Sequence, residues 1–261
     1  MSQSSTSQVV SGVLFDVDDT LVDTKGAFRH ALSTVAGEYL TADAELGAIL
    51  AFWRADRHGS YRAYTRGEMG SREQRMRRAN DLHAEFGGPA MSDDAYDAWD
   101  SVFEQAFRDG WRAHDDALEC LDALDQAGVV YGALSNARLD YQVDKLAAVG
   151  LRRVPMLVGV DTLGFGKPDP RVFLLAAERL GCVPTQTVYI GDELDIDALA
   201  ATQAGLQGYW VDRFGDDDLA AEHRDVGVAR ITSLGEFVGR IEANVTFASA
   251  PVLDRARNRL K

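Results

Sequence analysis

The sequence predicts an α/β fold, with a doubly wound, mostly parallel sheet that is interrupted by an inserted α-helical cap. Three observations lead to this prediction. Short apolar runs alternate with helix-like segments from residue 115 to residue 211, as in repeated strand–helix units with right-handed crossovers. Another apolar run, at residues 9–15, is typical of a strand that is buried on both faces. Residues 25–109 between them carry only helix-like apolar spacing.

The elements follow from hydrophobic spacing and from glycine, proline and capping signals. After the first strand, the cap is predicted to contain helices at 27–36, 44–58, 71–86 and 92–108, separated by glycines. The core then continues with a helix that Asp115 or Asp116 caps and Gly128 ends. Further core strands are predicted at 129–134, 156–160, 187–190 and 208–211, and further helices at 139–149, 170–180, 195–204 and from the capping box at 233–236.

These elements divide the chain into a core and a cap. We expect residues 1–24 and 110–243 to form the α/β core, and residues 25–109 to form the α-helical cap. Residues 244–261 are expected to be a C-terminal tail, in which residues 254–260 form a short basic helix or are disordered. Because the insertion follows the first strand directly, the cap is expected to cover the carboxyl end of that strand.

Composition narrows the classes of partner. The 261-residue chain has a formal net charge of −14, which argues against binding to a nucleic-acid polymer or an anionic membrane. Its two cysteines match no metal-binding spacing and fit a reducing compartment. The polar start lacks the apolar core of a signal peptide, and no apolar run reaches membrane-spanning length. We therefore expect a cytoplasmic protein.

The first strand ends in an acidic stretch. Asp16 and Asp18 lie two positions apart and are followed by Asp19. In an extended chain such residues point the same way, so the carboxylates of Asp16 and Asp18 are expected to converge at the crevice where open α/β sheets bind ligands. The structural alternative is a solvated acidic turn after a core strand.

Three more polar groups follow later core strands. A serine–asparagine pair offers a hydroxyl and amides to an oxyanion, a lysine offers a cation, and two aspartates offer hard oxygen ligands that suit magnesium. Each alone has a structural explanation as a turn, a solvated loop residue or a helix start. Their placement after four successive strands favours one shared site. The residues are Ser135, Asn136, Lys167, Asp192 and Asp197.

The set of four motifs resembles the haloacid dehalogenase superfamily of phosphohydrolases, from about residue 9 to residue 240. The stretch D-V-D-D-T at 16–20 matches the first motif, which implies a Rossmann-like core, Asp16 as nucleophile and Asp18 as general acid and base. The insertion is similar to the α-helical cap class of this family. The later motifs are matched by Ser135, by Lys167, and by Asp192 with Asp197.

The resemblance implies a Mg²⁺-dependent phosphatase that acts on a small phosphorylated metabolite, such as a nucleotide or a sugar phosphate, through an aspartyl-phosphate. One departure is Ile196, where many members have asparagine. The implied metal ligands are Asp16, Asp192 and the backbone carbonyl of Asp18. Asp197 is implied to contact the groups around the metal rather than the metal itself. The implied phosphate-binding residues are Ser135, Asn136, Lys167 and Asp19, whose side chain orients its loop.

Three other functions remain open. A 2-haloacid dehalogenase does not need an acid two positions after the nucleophile, so Asp18 counts against it. A phosphomutase would use the same residues and retain its intermediate. A receiver-like phospho-switch, which is not an enzyme, normally lacks a helical insertion of this length.

The cap contains a basic and aromatic cluster that would read the leaving group of the substrate. Aromatic rings stack on flat groups, and arginines bind a second anion. This part of the chain loosely resembles the caps of family members that act on nucleoside monophosphates. The alternative is a helix with its own apolar core and solvated arginines. The residues singled out are Trp53, Arg57 and Tyr64.

Overall fold

The computed structural model describes residues 8–41, 44–215 and 228–247. Its main feature is a six-stranded sheet in which all neighbouring strands are parallel, in the order β4-β3-β2-β5-β6-β7. A separate parallel pair joins β1 and β8. This topology confirms the α/β class. The strands are β1 (Gln8–Val10), β2 (Gly12–Phe15), β3 (Val130–Leu134), β4 (Met156–Val158), β5 (Thr187–Gly191), β6 (Gln207–Val211), β7 (Ala229–Ile231) and β8 (Val245–Phe247).

Helices surround the sheet and form the insertion between β2 and β3. A π-helical turn at Leu194–Leu199 leads directly into one of them. The helices are α1 (Thr24–Tyr39), α2 (Leu46–Ala55), α3 (Ser60–Thr65), α4 (Ser71–Phe86), α5 (Asp93–Asp109), α6 (Ala117–Ala127), α7 (Leu139–Ala148), α8 (Val160–Leu163), α9 (Pro170–Leu180), α10 (Ala200–Gln203) and α11 (Leu234–Asn244).

The central strand β2 is apolar and buried along its whole length. Alternate residues of a strand point to opposite faces, and here Val13 and Phe15 pack into one hydrophobic cluster while Leu14 packs into another. The first cluster includes α6, α7 and α11, and the second includes α9 and α10. Burial on both faces explains why this strand is a continuous apolar run rather than an alternating one.

The register of the sheet places the site. Phe15, the last residue of β2, pairs with Ala133 on one side and with Ile190 on the other. The residues that follow β2, β3 and β5 therefore emerge side by side at the carboxyl edge of the sheet. This is the edge at which open α/β sheets bind ligands.

The inserted helices α1, α2, α4 and α5 bury an apolar core of their own. Its centre is aromatic, with Trp99 and Phe103 stacked at a centroid distance of 5.0 Å. Helix α5 supplies an apolar face to this core. Ser92 caps the N-terminus of α5 by accepting a hydrogen bond from the Ala95 N–H. The residue limits predicted for the core, the cap and the C-terminal tail stay a prediction.

Several sequence predictions were wrong in detail. The helix predicted at 44–58 ends at Ala55, because Asp56 takes a positive φ of 42° and its carboxylate accepts hydrogen bonds from the first N–H groups of α3. Asp116 does not cap α6 with its side chain, which instead accepts from Arg213 and from the Leu234 N–H. Strands β7 and β8 were not predicted, and residues 254–260 lie outside the described part.

Two other boundaries differ for local reasons. The strand predicted at 156–160 ends at Val158, and Val160 already begins α8. In the predicted capping box, Ser233 accepts from the Glu236 N–H as expected, but the Glu236 carboxylate accepts from the Thr232 N–H. No helix in the described residues is long and apolar enough to span a bilayer.

Candidate active site

The first group at the carboxyl edge of the sheet is a buried lysine between two aspartates. Lys167 Nζ lies 2.6 Å from Asp16 Oδ1 and 2.5 Å from Asp197 Oδ1, and it donates to the Tyr189 hydroxyl at 3.0 Å. Asp16, Lys167 and Asp197 are each less than 5% exposed. The structure therefore brings together one residue from each of the predicted first, third and fourth motifs.

The electrostatics of this group follow from burial. Removal from water raises the pKa of Asp16 well above its usual range, and the charges of Asp197 and Asp18 add to the shift, although Lys167 opposes it. Burial alone would lower the pKa of Lys167, but Asp16 and Asp197 raise it by more. Lys167 is therefore a permanent cation beside Asp16.

Asp192 follows β5 and lies close to the same group. One carboxylate oxygen each from Asp16, Asp192 and Asp197 lies within 4.8 Å of the others. Burial raises the pKa of Asp192 well above its usual range, and the neighbouring carboxylates of Asp19, Asp197 and Asp16 raise it further. Lys25 Nζ is the nearby cation, at 3.3 Å from Asp192 Oδ2.

These oxygens fit a hard divalent cation. Three carboxylates in reach of one another form the donor set that Mg²⁺ prefers. The site contains five aspartates and three lysines. The aspartates are Asp16, Asp18, Asp19, Asp192 and Asp197, and the lysines are Lys25, Lys145 and Lys167.

The π-helical turn explains how Asp197 reaches this cluster. Asp197 is 1% exposed, and its Oδ2 accepts a hydrogen bond from the Glu193 N–H at 3.1 Å. Gly191 lies so close to the Asp197 side chain that a Cβ at Gly191 would overlap it. The helix predicted to begin at Asp195 therefore begins as a wider turn that directs Asp197 inward.

Three donors hold the Asp18 carboxylate. Thr24 Oγ1 and Lys145 Nζ lie 2.7 Å and 2.6 Å from Asp18 Oδ1, and Gln142 Nε2 lies 2.6 Å from Oδ2. Burial raises the pKa of Asp18, but the Lys145 ammonium and these hydrogen bonds lower it by more, so the net direction is down. Two acids at the end of one strand thus have opposite pKa shifts.

Asp19 occupies the turn after Asp18 with a positive φ of 58°. Its Oδ1 accepts from the Lys25 N–H at 2.7 Å, at the start of α1. Burial raises the pKa of Asp19 to about 6, partly offset by Lys25. These contacts are those expected of a residue that orients the loop.

Ser135 and Asn136 follow β3 as expected, but their side chains differ in orientation. Ser135 Oγ accepts from Gln142 Nε2 at 2.8 Å, beside Asp18. Both polar atoms of the Asn136 side chain bind the backbone of Lys167, at 2.6 Å and 3.0 Å. A Cβ on Gly166 would overlap Asn136 Oδ1, so this clamp needs glycine there. Asn136 thus fixes the loop that carries Lys167.

The cap contacts the loop that carries Lys167. The Gly166 N–H, just past α8, donates at 2.8 Å to the carbonyl of Thr65, the last residue of α3. Gly67 packs so tightly on the Gly164 carbonyl that a Cβ would overlap it. Tyr61 lies on the same short helix and is 37% exposed, and removal of its hydroxyl from water together with the charges of Asp18 and Glu193 raises the pKa of that hydroxyl.

The three cap residues that the sequence analysis named lie in different environments. Trp53 is 5% exposed and lies inside the aromatic core of the cap. It therefore has the structural role that was the alternative to substrate binding. Arg57 is exposed, lies over the Phe52 ring and pairs loosely with Glu85. Tyr64 is half-buried, and its ring centroid lies 6.1 Å from that of Tyr61.

Sequence reasoning missed five residues of the site, among them Lys25, which pairs with Asp19 and Asp192. Gln142 and Lys145 lie three apart on one face of α7, and that spacing was the available signal. Thr24 follows the acidic loop and begins α1. Tyr189 is a core strand residue whose hydroxyl also lies 3.1 Å from Asp197.

Comparison with known proteins adds independent evidence. A family model of haloacid dehalogenase-like hydrolases matches residues 10–205. Phosphoglycolate phosphatase from Xanthomonas campestris is 40% identical over 121 residues, which are 44% of this chain and 54% of that protein. The chain thus matches about half the length of that relative.

Two longer matches cover most of the chain. Ribulose-1,5-bisphosphate 5-phosphatase from Halopiger xanaduensis is 28% identical over 227 residues, which are 83% of this chain and 90% of that protein. A haloacid dehalogenase (HAD) family hydrolase from Deinococcus radiodurans, solved with bound phosphate and sodium, has a TM-score of 0.67 and 26% identity over 92% of this chain and 99% of its own. With the family model matching three quarters of its length, the chain belongs to the haloacid dehalogenase-like hydrolases.

Proposed function

We propose that the protein is a Mg²⁺-dependent phosphatase that hydrolyses a small phosphorylated metabolite through an aspartyl-phosphate on Asp16. The observation that carries this proposal is that the two acids at the end of β2 are paired with different lysines. Asp16 is paired with Lys167, whereas Asp18 is paired with Lys145. Two carboxylates held in different environments can take the different roles of nucleophile and acid–base catalyst.

In the first step, a carboxylate oxygen of Asp16 attacks phosphorus and the bond from phosphorus to the leaving oxygen breaks. The negative charge of the bound phosphate opposes the effect of Lys145 on the pKa of Asp18 and favours the protonated acid, which supplies the proton that this oxygen gains. In the second step, water attacks the aspartyl-phosphate, its proton passes to Asp18, and Asp16 is released with phosphate. The charge of Lys167 offsets the repulsion between the Asp16 carboxylate and the phosphate, which is about 4 kcal/mol for unit charges ~4 Å apart at an effective dielectric near 20.

Mg²⁺ would be held by Asp16, by Asp192 and by the backbone carbonyl of Asp18. Asp197 was assigned to an outer layer, but its carboxylate is close enough to the other two to share this task. When bound, the ion would stabilise negative charge on the transferring phosphoryl group. Lys167 and the Ser135 hydroxyl would bind phosphate oxygens, together with backbone amides near Asn136 and Asp19.

The proposed substrate class rests on the relatives and the cap. The two relatives described above are named for phosphoglycolate and ribulose-1,5-bisphosphate, both small phosphorylated metabolites. Tyr61 replaces Trp53 as the proposed contact to the leaving group, because α3 is tied to the Lys167 loop. Tyr61→Phe should change kcat/KM for the best metabolite more than for a small aryl phosphate, and equal changes would contradict this contact. A cytoplasmic location stays a prediction.

The other functions are less well supported. A dehalogenase has no use for an acid held as Asp18 is held, by three donors beside the nucleophile. A receiver-like switch does not account for five cap helices between β2 and β3. A phosphomutase would use the same residues, and it is distinguished by transfer of phosphate to a second hydroxyl rather than to water.

The test is hydrolysis of 4-nitrophenyl phosphate with Mg²⁺. We expect turnover by the wild type, loss of turnover in Asp16→Asn, and unchanged turnover in Asp144→Asn, which removes an exposed carboxylate from α7. Phosphate should appear at the same rate as 4-nitrophenol. Near-normal activity in folded Asp16→Asn would overturn the mechanism.

A further inference from the structure

Lys145 is a buried cation that the reaction described above does not use. It lies on α7, its side chain is 2% exposed, and its Nζ is 2.6 Å from Asp18 Oδ1. Among the described residues, its one ion pair is with Asp18. Burying an ammonium is costly unless it is paired, so this single contact is the reason the lysine is tolerated there.

Three aromatic rings lie around the Lys145 ammonium. Its Nζ lies 5.3 Å from the ring centroid of Phe107, 5.6 Å from that of Trp111 and 5.5 Å from that of Tyr141. Phe107 comes from α5 of the cap and Trp111 from the segment that returns to the core. These three rings, called the aromatic cage below, restrict the orientation of the ammonium and favour the one toward Asp18.

The same face of α7 also holds the second oxygen of Asp18. Gln142 Nε2 donates to Asp18 Oδ2 at 2.6 Å and to Ser135 Oγ at 2.8 Å. Asp18 is therefore held at both oxygens by residues of one helix. Each acid at the end of β2 has its own lysine from a different part of the core.

We infer that Lys145 is a positioning residue, which holds the Asp18 carboxylate in the place from which it exchanges protons with the leaving oxygen and with water. The inference rests on the proposed function. Lys145 itself touches neither substrate nor phosphate in this reading. Its loss should therefore slow the steps that need Asp18 and spare the attack by Asp16 on a substrate with a good leaving group.

The variant is Lys145→Met, which keeps an unbranched side chain of nearly the same length beside the aromatic cage and removes the ammonium. With 4-nitrophenyl phosphate, formation of the aspartyl-phosphate needs little protonation. Rapid-quench labelling should show formation within a few-fold of wild type and breakdown slower by about 100-fold, the lower range for a positioned acid–base group. The phosphoenzyme should then accumulate, whereas equal slowing of both steps would overturn the inference.

A second measurement separates positioning from general damage to the site. If Lys145 acts through Asp18, adding Lys145→Met to Asp18→Asn should change the breakdown rate by less than about twofold, since coupled residues are not additive. Multiplicative losses would show that Lys145 acts elsewhere. Arg153→Met is the matched control, because it removes an exposed cation that pairs with Asp122 and Asp125 far from the site.

Folding and the proposed function are checked in the same series. Circular dichroism and thermal unfolding report whether Lys145→Met is folded, and Lys145→Gln serves as the second variant if it is not. Absence of any phosphoenzyme in wild type and in Asp18→Asn, despite turnover, would reject the proposed function. Accumulation in Asp18→Asn with wild-type kinetics in both Lys145 variants would reject the inference about Lys145 alone.

Discussion

Replacement of Trp53 by alanine tests whether this residue supports the cap or contacts the substrate. Its ring packs against Phe103 at a centroid distance of 5.4 Å, and the Arg78 guanidinium lies over it at 4.1 Å. A tryptophan buries about 150–250 Å², which at ~25 cal/mol per Å² is about 4–6 kcal/mol. Measured losses for such truncations are about 3–5 kcal/mol, so we expect about 4 kcal/mol for Trp53→Ala.

Denaturant unfolding monitored by circular dichroism measures this loss, and a fall of the melting temperature by about 10 °C should accompany it in a chain of this size. Val183→Ala is the control, because Val183 is 54% exposed and its truncation should cost less than about 1 kcal/mol. The ratio of kcat/KM for the best metabolite to that for an aryl phosphate should stay constant in folded Trp53→Ala. A loss below about 1 kcal/mol together with a changed ratio would refute the structural role.

Three further predictions concern the core site. In chelator, Asp19→Asn should raise the free energy of unfolding by up to about 3 kcal/mol at pH 8, because the pKa of Asp19 is raised from 3.8 to about 6 and its ionisation opposes folding. That gain should disappear as the pH falls from 6 to below 4, and a gain independent of pH would contradict it. Mg²⁺ at 100 times its dissociation constant should stabilise the wild type by about 2.7 kcal/mol, whereas Asp192→Asn should show much less in the same calorimetric scan. Asn136→Ala should lower stability by about 2–3 kcal/mol and kcat/KM by more than 10-fold, because it frees the Lys167 backbone; unchanged kinetics would show that the loop holds without the clamp.

The core site was predictable because a parallel sheet brings the carboxyl ends of its strands to one edge. Asp16 after β2, Ser135 after β3 and Asp192 after β5 need only the strand order and register to meet. Local sequence marks each position, since an apolar run stops at a polar residue. Lys167 required more, because its loop reaches the site through the clamp of Asn136.

The residues that sequence missed depend on the packing of helices. Gln142 and Lys145 face Asp18 only because helix α7 has one particular rotation about its own axis at the edge of the sheet. The spacing of the two residues along the chain does not specify that rotation. The same holds for the cap, where eight positions separate buried Trp53 from Tyr61, which lies on the helix tied to the Lys167 loop. Asp56 decides this by ending α2 and capping α3 within five residues.

The central claim is that Asp16 carries the phosphoryl group during turnover. The direct measurement is to mix Asp18→Asn with a phosphorylated substrate and Mg²⁺, quench in acid, reduce with borohydride and identify the modified peptide by mass spectrometry. We expect the aspartyl-phosphate to be reduced to homoserine at position 16 and nowhere else. Labelling of a different residue, or continued turnover of the wild type with no acyl phosphate in either protein, would contradict it.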